Sequence, residues 1–235
     1  MIKRASSPEE LKSLPETGVE AQKIRSLFLS YGTKYDFCRF FISKNAILAM
    51  LNGDYIISDF GEVDFEELAG FLNFSGFSEI FCSEELGCTL EKSLSVERKS
   101  VNLMRFSGTA KEADIEILSP SEAFKIIKTG FDIEFEPWYL DMSHRIRHGV
   151  SRIYGLCGSA LAVQYNLNGE ALISQVATLP EKRGQGNASR LISAVCGELS
   201  ESKVFVLCEN ELVEFYKKNG FVREGTKCCL KNKNP

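Results

Sequence analysis

Hydrophobic and polar positions along this chain change period repeatedly, from about 3.6 residues to two and back, as expected of alternating helices and strands. Residues 1–35 read as a helical lead-in, most apolar at Leu27-Phe28-Leu29. Phe37–Ser43, Ala46–Met50 and Tyr55–Ser58 then read as strands, with Asn52-Gly53 the turn dipeptide between the second and third. Asp64 with Glu67 forms a capping-box pattern ahead of Phe65, Leu68, Ala69 and Leu72, a helical stripe, and Glu79–Cys82 returns to strand. Further on, Asp114–Leu118 is strand-like, and Ser119-Pro120-Ser121-Glu122 opens a helix that runs through Lys128 and stops at Gly130. Glu136–His148 forms another helix, with Trp138 as its packing anchor. Arg152–Leu156, Ala160–Tyr165 and Ala171–Thr178 are three successive strands, the last two joined by Asn166-Leu167-Asn168-Gly169. Ala188, Leu191, Ile192, Val195 and Leu199 mark a helix, Val204–Cys208 a buried strand, and Glu211–Lys218 a helix stopped by Asn219-Gly220. Phe221–Arg223 and Lys227–Leu230 close the chain as a strand pair.

The two halves resemble each other. Aligning Arg39–Ser43 with Arg152–Leu156 carries Leu48-Ala49 onto Leu161-Ala162, and Ser78–Phe81 falls later on Ser202–Phe205. The spacing between these anchors is 39 residues in the first half and 50 in the second, and the extra 11 fall around Leu179–Ala188. An internal duplication is expected, with domains at residues 1–110 and 111–235.

Length and charge sharpen this division. A chain of 235 residues accommodates one large domain or two small ones. Its 28 Lys+Arg and 32 Asp+Glu leave a net charge of −4, which argues against nucleic acid as a partner. The whole deficit lies in residues 1–110, with 12 basic and 16 acidic groups; between Lys44 and Lys92 there are 47 residues without a Lys or Arg. A solvated acidic face is the expected role of that stretch, and attraction of a cationic amine is the alternative. No apolar run reaches the length of a membrane span or a signal peptide, so a cytoplasmic protein is expected. Eight cysteines, none spaced as CxxC, read as buried reduced thiols, and no metal site is expected.

The candidate chemistry lies in the extra segment. Pro180-Glu181-Lys182-Arg183-Gly184-Gln185-Gly186-Asn187-Ala188 follows a buried strand and opens an amphipathic helix. Such a junction directs free backbone N–H groups and the positive end of a helix dipole into one small volume, which suits a diphosphate. Gly184 and Gly186 remove the Cβ atoms that would block close approach. About 30 residues later comes Tyr216-Lys217-Lys218-Asn219-Gly220-Phe221.

Arg183-x-x-Gly186-x-Ala188 followed by Tyr216-x-x-x-Gly220-Phe221, in this order of elements, resembles the two signatures of the GNAT acyltransferase superfamily over residues 114–231. The resemblance implies an α+β mixed-sheet GNAT fold, with acetyl-CoA as co-substrate and an amine-bearing acceptor as partner. It implies that Val176, Ala177 and Thr178 diverge from Val204–Cys208 and hold the pantetheine arm, while Arg183, Gly184, Gln185, Gly186, Asn187 and Ala188 hold the pyrophosphate. A backbone N–H near Val176 or Ala177 would stabilise the oxyanion, and Tyr216 would act as general acid toward the departing thiolate. Glu170, Gln175, Asp141, His144 and Glu209 are candidates for the base. Many relatives carry Asn seven residues before the tyrosine; here Glu209 stands there, and Asn210 is either a shifted pantetheine contact or the N-cap of the next helix. The first half lacks any counterpart of the glycine loop and reads as a degenerate GNAT-like lobe. A non-catalytic acyl-CoA-binding protein is the alternative to an acetyltransferase; a longer acyl-CoA or aminoacyl-tRNA donor is a third reading, and the lack of a basic groove weighs against tRNA.

Overall fold

Two helices or helix pairs on opposite faces of a sheet explain why most strands here are apolar at consecutive rather than alternate positions. The computed structural model describes residues 1–234 and divides into two units, Met1–Asn102 with the residues from Gly225 onward, and Leu103–Glu224. These do not coincide with the expected segments 1–110 and 111–235. The residues from Gly225 onward fall in the first unit because the last strand pairs there.

The chain begins with β1 (Lys3–Arg4), a 3₁₀ turn, and α1 (Val19–Tyr31), so the expected helical lead-in is confined to its second part. β2 (Cys38–Ile42), β3 (Ala46–Leu51) and β4 (Asp54–Asp59) form an antiparallel meander, followed by α2 (Phe65–Ser75) and β5 (Glu79–Ser83), which pairs parallel to β4. α3 (Glu84–Leu90) and β6 (Val96–Phe106) follow; neither is marked in the sequence. Leu48 and Ile57 pack with Leu68 and Leu72 on one face, while Ile47 and Ala49 pack with Ile24 and Leu27 of α1 on the other. Two adjacent β3 residues thus enter two different cores, as a side-chain period of two requires. Part of the acidic stretch is used within this unit: Asp64 caps α2, Glu67 meets the N-terminal ammonium, and Glu84 and Glu91 both bind Arg98.

The second unit has β7 (Glu116–Ile117), shorter than the expected strand, then α4 (Pro120–Ile127) with its capping box, and α5 (Phe135–Arg147). β8 (Arg152–Leu156), β9 (Ser159–Leu167) and β10 (Glu170–Thr178) form a second antiparallel meander, followed by α6 (Asn187–Glu198) and β11 (Lys203–Cys208), which pairs parallel to β10. α7 (Val213–Lys218) leads into β12 (Phe221–Asn232). Leu161 and Val163 pack with Leu191 and Val195 of α6, whereas Ala160 and Ala162 pack with Ala123, Ile127 and Met142 of α4 and α5. The hairpins turn on Cys157-Gly158 and Asn168-Gly169, where all four residues have positive φ, the geometry that matches strand twist.

Each unit therefore has three antiparallel strands, a helix, and a strand parallel to the third. The pairs Phe40↔Ala49 and Ile153↔Ala162 stand at equivalent places of the two meanders, in the register set by aligning Arg39 with Arg152. The closing segment is one continuous strand, β12, rather than the expected pair. Gly225 has no positive φ to turn it, and Lys227–Lys231 run antiparallel to Ser83–Glu79. β6 and β12 each begin in one unit and end in the other. Among the described residues no helix is long and apolar enough to cross a membrane, and no cluster of His, Cys, Asp or Glu suits a metal ion.

Candidate functional site

β10 carries the local irregularity on which the site is built. Ser174 pairs with Ala162 but Ala177 pairs with Ala160, so one extra residue is accommodated between them, and Gln175 takes φ of 50°. A non-glycine residue with positive φ inside a strand is held there by its surroundings. The Gln175 Oε1 accepts a hydrogen bond from Trp138 Nε1 at 3.1 Å, tying the bulge to α5. Pairing of β10 with β11 ends at Ile173↔Val206, although β10 continues to Thr178 and β11 to Cys208. The strands diverge there, so Val176–Thr178 have no strand partner on the β11 side, while Ala177 and Thr178 still pair with Ala160 and Ser159 of β9 on the other.

The chain then turns through Pro180–Lys182 and reaches α6. Gly184 and Gly186 both have φ of 75°, and a Cβ built on either would meet no atom within 4 Å. The first intrahelical bond of α6 runs from Arg190 N–H to Gly186 O at 3.0 Å, which leaves the N–H groups of Asn187, Ala188 and Ser189 without helical partners. Gly186 in the cap position has no side chain to occupy them. Asn187 is buried, and its Nδ2 donates to Cys157 O at 3.2 Å, fixing the helix start to the β8–β9 hairpin. The Arg183 side chain turns back: Nε donates to Thr178 O and Nη2 to Thr129 O, both at 3.1 Å. This guanidinium braces the loop against α4 and β10, and its remaining N–H groups are what it can offer an anion.

A cavity of about 490 Å³ lies between these elements. Val176, Ala177 and Thr178 line one side, and Arg183, Gly184, Gly186, Asn187 and Ala188 line another. Tyr216 closes it from α7, with Phe215 and Leu212 adding apolar wall. Of the expected residues, Gln185 and Asn210 are outside the lining; Gln185 Nε2 donates to Glu181 O at 3.4 Å. Asn210 is not the N-cap of the following helix. A 3₁₀ turn, Asn210–Leu212, intervenes with Glu209 in its cap position, and α7 starts only at Val213.

Tyr216 is buried, with ring centroids 5.2 Å from Phe215 and 5.4 Å from Phe221 in edge-to-face geometry. Burial, and secondarily nearby Cys208, push its phenol above the ordinary value of 10, so it keeps its proton throughout the neutral range. Burial pushes Cys208 up to about 11, which leaves it a thiol and a poor nucleophile. The base candidates separate. Glu170 begins β10, six residues from Val176 and so about 20 Å from the cavity at ~3.3 Å per residue. Asp141 accepts Arg145 Nε on both oxygens at 2.8 Å, and His144 stacks on His148 with centroids 4.3 Å apart. No carboxylate or imidazole lines the cavity. The partners missing from the sequence reading are Thr129 and Trp138, both on other elements than the residues they brace.

Residues 148–223 match the family model described as an acetyltransferase (GNAT) domain. Among solved structures, an acetyltransferase of the GNAT family from Colwellia psychrerythraea is similar at TM-score 0.62 and 13% identity, covering 99% of this chain and 100% of that one. A GCN5-related N-acetyltransferase from Kribbella flavida reaches TM-score 0.66 at 11% identity over 92% and 95% of the two chains. Another, from Sphaerobacter thermophilus, reaches 0.60 at 12% over 99% and 95%. No curated protein sequence matches the chain. The chain has the GNAT fold, and its second unit carries the GNAT domain.

Proposed function

We propose that this protein is an acetyltransferase that moves an acetyl group from acetyl-CoA to a primary amine of a small molecule or peptide, by direct attack in a ternary complex in the cytoplasm. The observation that carries the reading is one cavity bounded by a bulged strand end, a glycine-capped helix start and a buried tyrosine. The N–H groups of Gly184–Ser189, with open space at both glycines, fit a diphosphate. Val176–Thr178 offer the strand edge that β11 leaves open to the pantetheine amides, as an added strand would be received, with Ala177 N–H near the developing oxyanion.

Tyr216 is the proton donor in this reading. A thiolate is a weaker base than a phenolate, and burial weakens Tyr216 as an acid further, so complete transfer is uphill. The phenol stabilises the departing sulfur by hydrogen bonding in the transition state, a contribution of about 10²-fold. With no carboxylate or imidazole lining the cavity, the acceptor enters as the neutral amine or loses its proton to water. The first unit, with its matching strand order, is in this proposal a GNAT-like lobe that no longer binds acyl-CoA.

Calorimetry with acetyl-CoA, followed by an amine panel with thiol release as readout, tests the reading. Binding with turnover of at least one amine is expected. Absence of binding defeats the donor assignment; binding without turnover on any amine favours the non-catalytic reading.

A further inference from the structure

Cys82 of β5 and Cys228 of β12 stand directly opposite each other in the antiparallel register. Side chains so placed share a face of the sheet, and both thiols enter the core that Leu86 and Leu90 of α3 form with Leu94 and Val96. Each cysteine is fully buried, and the two thiols hydrogen-bond to each other. α3 makes room for them with Gly87, where a Cβ would overlap Cys228 Sγ and stand 3.5 Å from Cys82 Sγ. The neighbouring thiols are set apart. Cys229 lies one position on, opposite Phe81 and so on the other face, and Cys88 is exposed. Opposed residues of an antiparallel pair have Cα atoms about 4.5–5.5 Å apart, within the ~4.4–6.8 Å that a disulfide spans. The pair belongs to the first unit and has no part in the acyl transfer proposed above.

We infer that Cys82 and Cys228 form a peroxide-oxidised dithiol, which closes to a disulfide and staples β12 to β5. Cys228 is the attacking group. The hydrogen bond from Cys82 lowers it below the ordinary thiol value against the effect of burial, and Arg98 adds to the lowering; the same bond, with burial, raises Cys82. The Cys228 thiolate attacks one oxygen of hydrogen peroxide, the O–O bond breaks, hydroxide leaves, and Cys228 becomes a sulfenic acid. Cys82 then gives up its proton and attacks that sulfur, the S–O bond breaks, and water leaves. Two thiols and one peroxide become one disulfide and two waters, each sulfur supplying one electron. Peroxide is close to water in size, so a brief opening of the seven-residue α3 admits it where bulkier thiol reagents are slow. The crosslink joins β5 to the last strand of the chain, a long loop whose closure restricts the unfolded state strongly.

Hydrogen peroxide treatment of the full chain, quenched with catalase, tests this in Cys88→Ser/Cys157→Ser/Cys229→Ser, which keeps only the buried Cys38, Cys82, Cys196, Cys208 and Cys228. Titration in denaturant should then find two thiols fewer, and the mass should fall by two hydrogen atoms. Peptide mapping should show one link, between Cys82 and Cys228. The thermal midpoint should rise by about 5–15 °C, dithiothreitol should reverse every change, and a further Cys228→Ser should abolish the link. An undiminished thiol count, oxygen added at Cys228 without a link, a link to any other cysteine, or a link that leaves the midpoint unchanged overturns the inference. Should the triple variant fail to fold, the unmodified protein carries the same test: its peptides containing Cys82 and Cys228 should be joined, with fragmentation placing the bond, and their absence as a joined pair overturns the inference there.

Discussion

Gly186→Ala separates the cost of a turn from the cost of losing a ligand cradle, provided it is paired with Gly169→Ala. The two glycines are matched: φ is 75° at Gly186 and 73° at Gly169, and neither would place a Cβ within 4 Å of another atom. Crowding therefore contributes nothing in either case. What remains is the strain of holding an L residue in the left-handed region, about 1–2 kcal/mol, offset by about 0.4–1 kcal/mol from the lower entropy of the unfolded chain. Both variants should lose roughly 1 kcal/mol, or about 2–4 °C in thermal midpoint for a chain of this size. Their effects on the donor should differ. Gly169 lies in the hairpin at the far end of β10, about 30 Å from Thr178 at ~3.3 Å per residue, so its variant should bind acetyl-CoA normally. At Gly186 the methyl group enters the space beside the free N–H groups, and loss of even one charge-assisted hydrogen bond weakens binding about tenfold or more. Thermal denaturation and calorimetry on the two proteins give both quantities. Equal affinities in the two variants, with equal midpoints, would make Gly186 a turn residue and refute the cradle.

Tyr216→Phe preserves the ring contacts and should lower turnover about 10²-fold while acetyl-CoA affinity stays within twofold (~0.4 kcal/mol); full retained turnover would make the tyrosine a packing residue. Trp138→Phe removes the donor that holds Gln175 Oε1 and should weaken acetyl-CoA, with Gln175→Gly partly restoring it by relieving the positive φ; an unchanged dissociation constant in Trp138→Phe would show that the bulge holds without it. A chromogenic thiol reagent should titrate the exposed Cys88 and Cys157 rapidly, the half-buried Cys229 more slowly, and the buried Cys38, Cys82, Cys196, Cys208 and Cys228 only on unfolding; a fast reaction of Cys208 would contradict its burial. Burial raises Cys208 from 9.0 to about 11 and Cys196 from 9.0 to about 12. The unfolded thiols therefore ionise first, and this contribution to stability is complete below about pH 9 and is lost as pH rises toward 11–12. Denaturant midpoints should fall across that range, and a flat profile would contradict it.

Local chemistry made the second meander legible: Asn168-Gly169 declares its hairpin, and Ser119-Pro120-Ser121-Glu122 its helix start, because each signal is satisfied within four residues. β6 was not legible, since Val96–Phe106 contains Arg98, Lys99, Ser100 and Asn102 and lacks an apolar rhythm. Nor was the continuity of β12, which the sequence divides into Phe221–Arg223 and Lys227–Leu230 but which passes through Gly225 without turning. The site shows the same division. Gly184 and Gly186 are legible because the left-handed region favours glycine, but nothing in Gln175 announces φ of 50°. That conformation depends on Trp138, 37 residues away. Arg183 is legible as a cation yet spends two donors on backbone carbonyls, one of them Thr129 O on a separate element. Glu170 reads as a strand-end carboxylate, and only the direction of β10 shows that it stands at the wrong end.

The two helix starts that follow the third strand of each meander differ in what they would present to an incoming anion. In the first, β3 and β4 stay in unbroken register from Leu51↔Asp54 to Ala46↔Asp59, and Phe60–Asp64 lead directly into α2. Asp64 caps that helix, its carboxylate accepting Glu67 N–H at 3.0 Å, with Glu66 and Glu67 in the first turn. The positive end of the helix is thus already neutralised by carboxylates from its own chain, and an incoming anion would meet like charge. In the second, β10 is bulged against β9 and parts from β11 after Ile173, and Leu179–Gly186 carry the chain round to a cap with no side chain and no acidic residue in the first turn. The same strand order thus serves two ends according to what occupies the helix cap: a carboxylate in one unit, free N–H groups in the other.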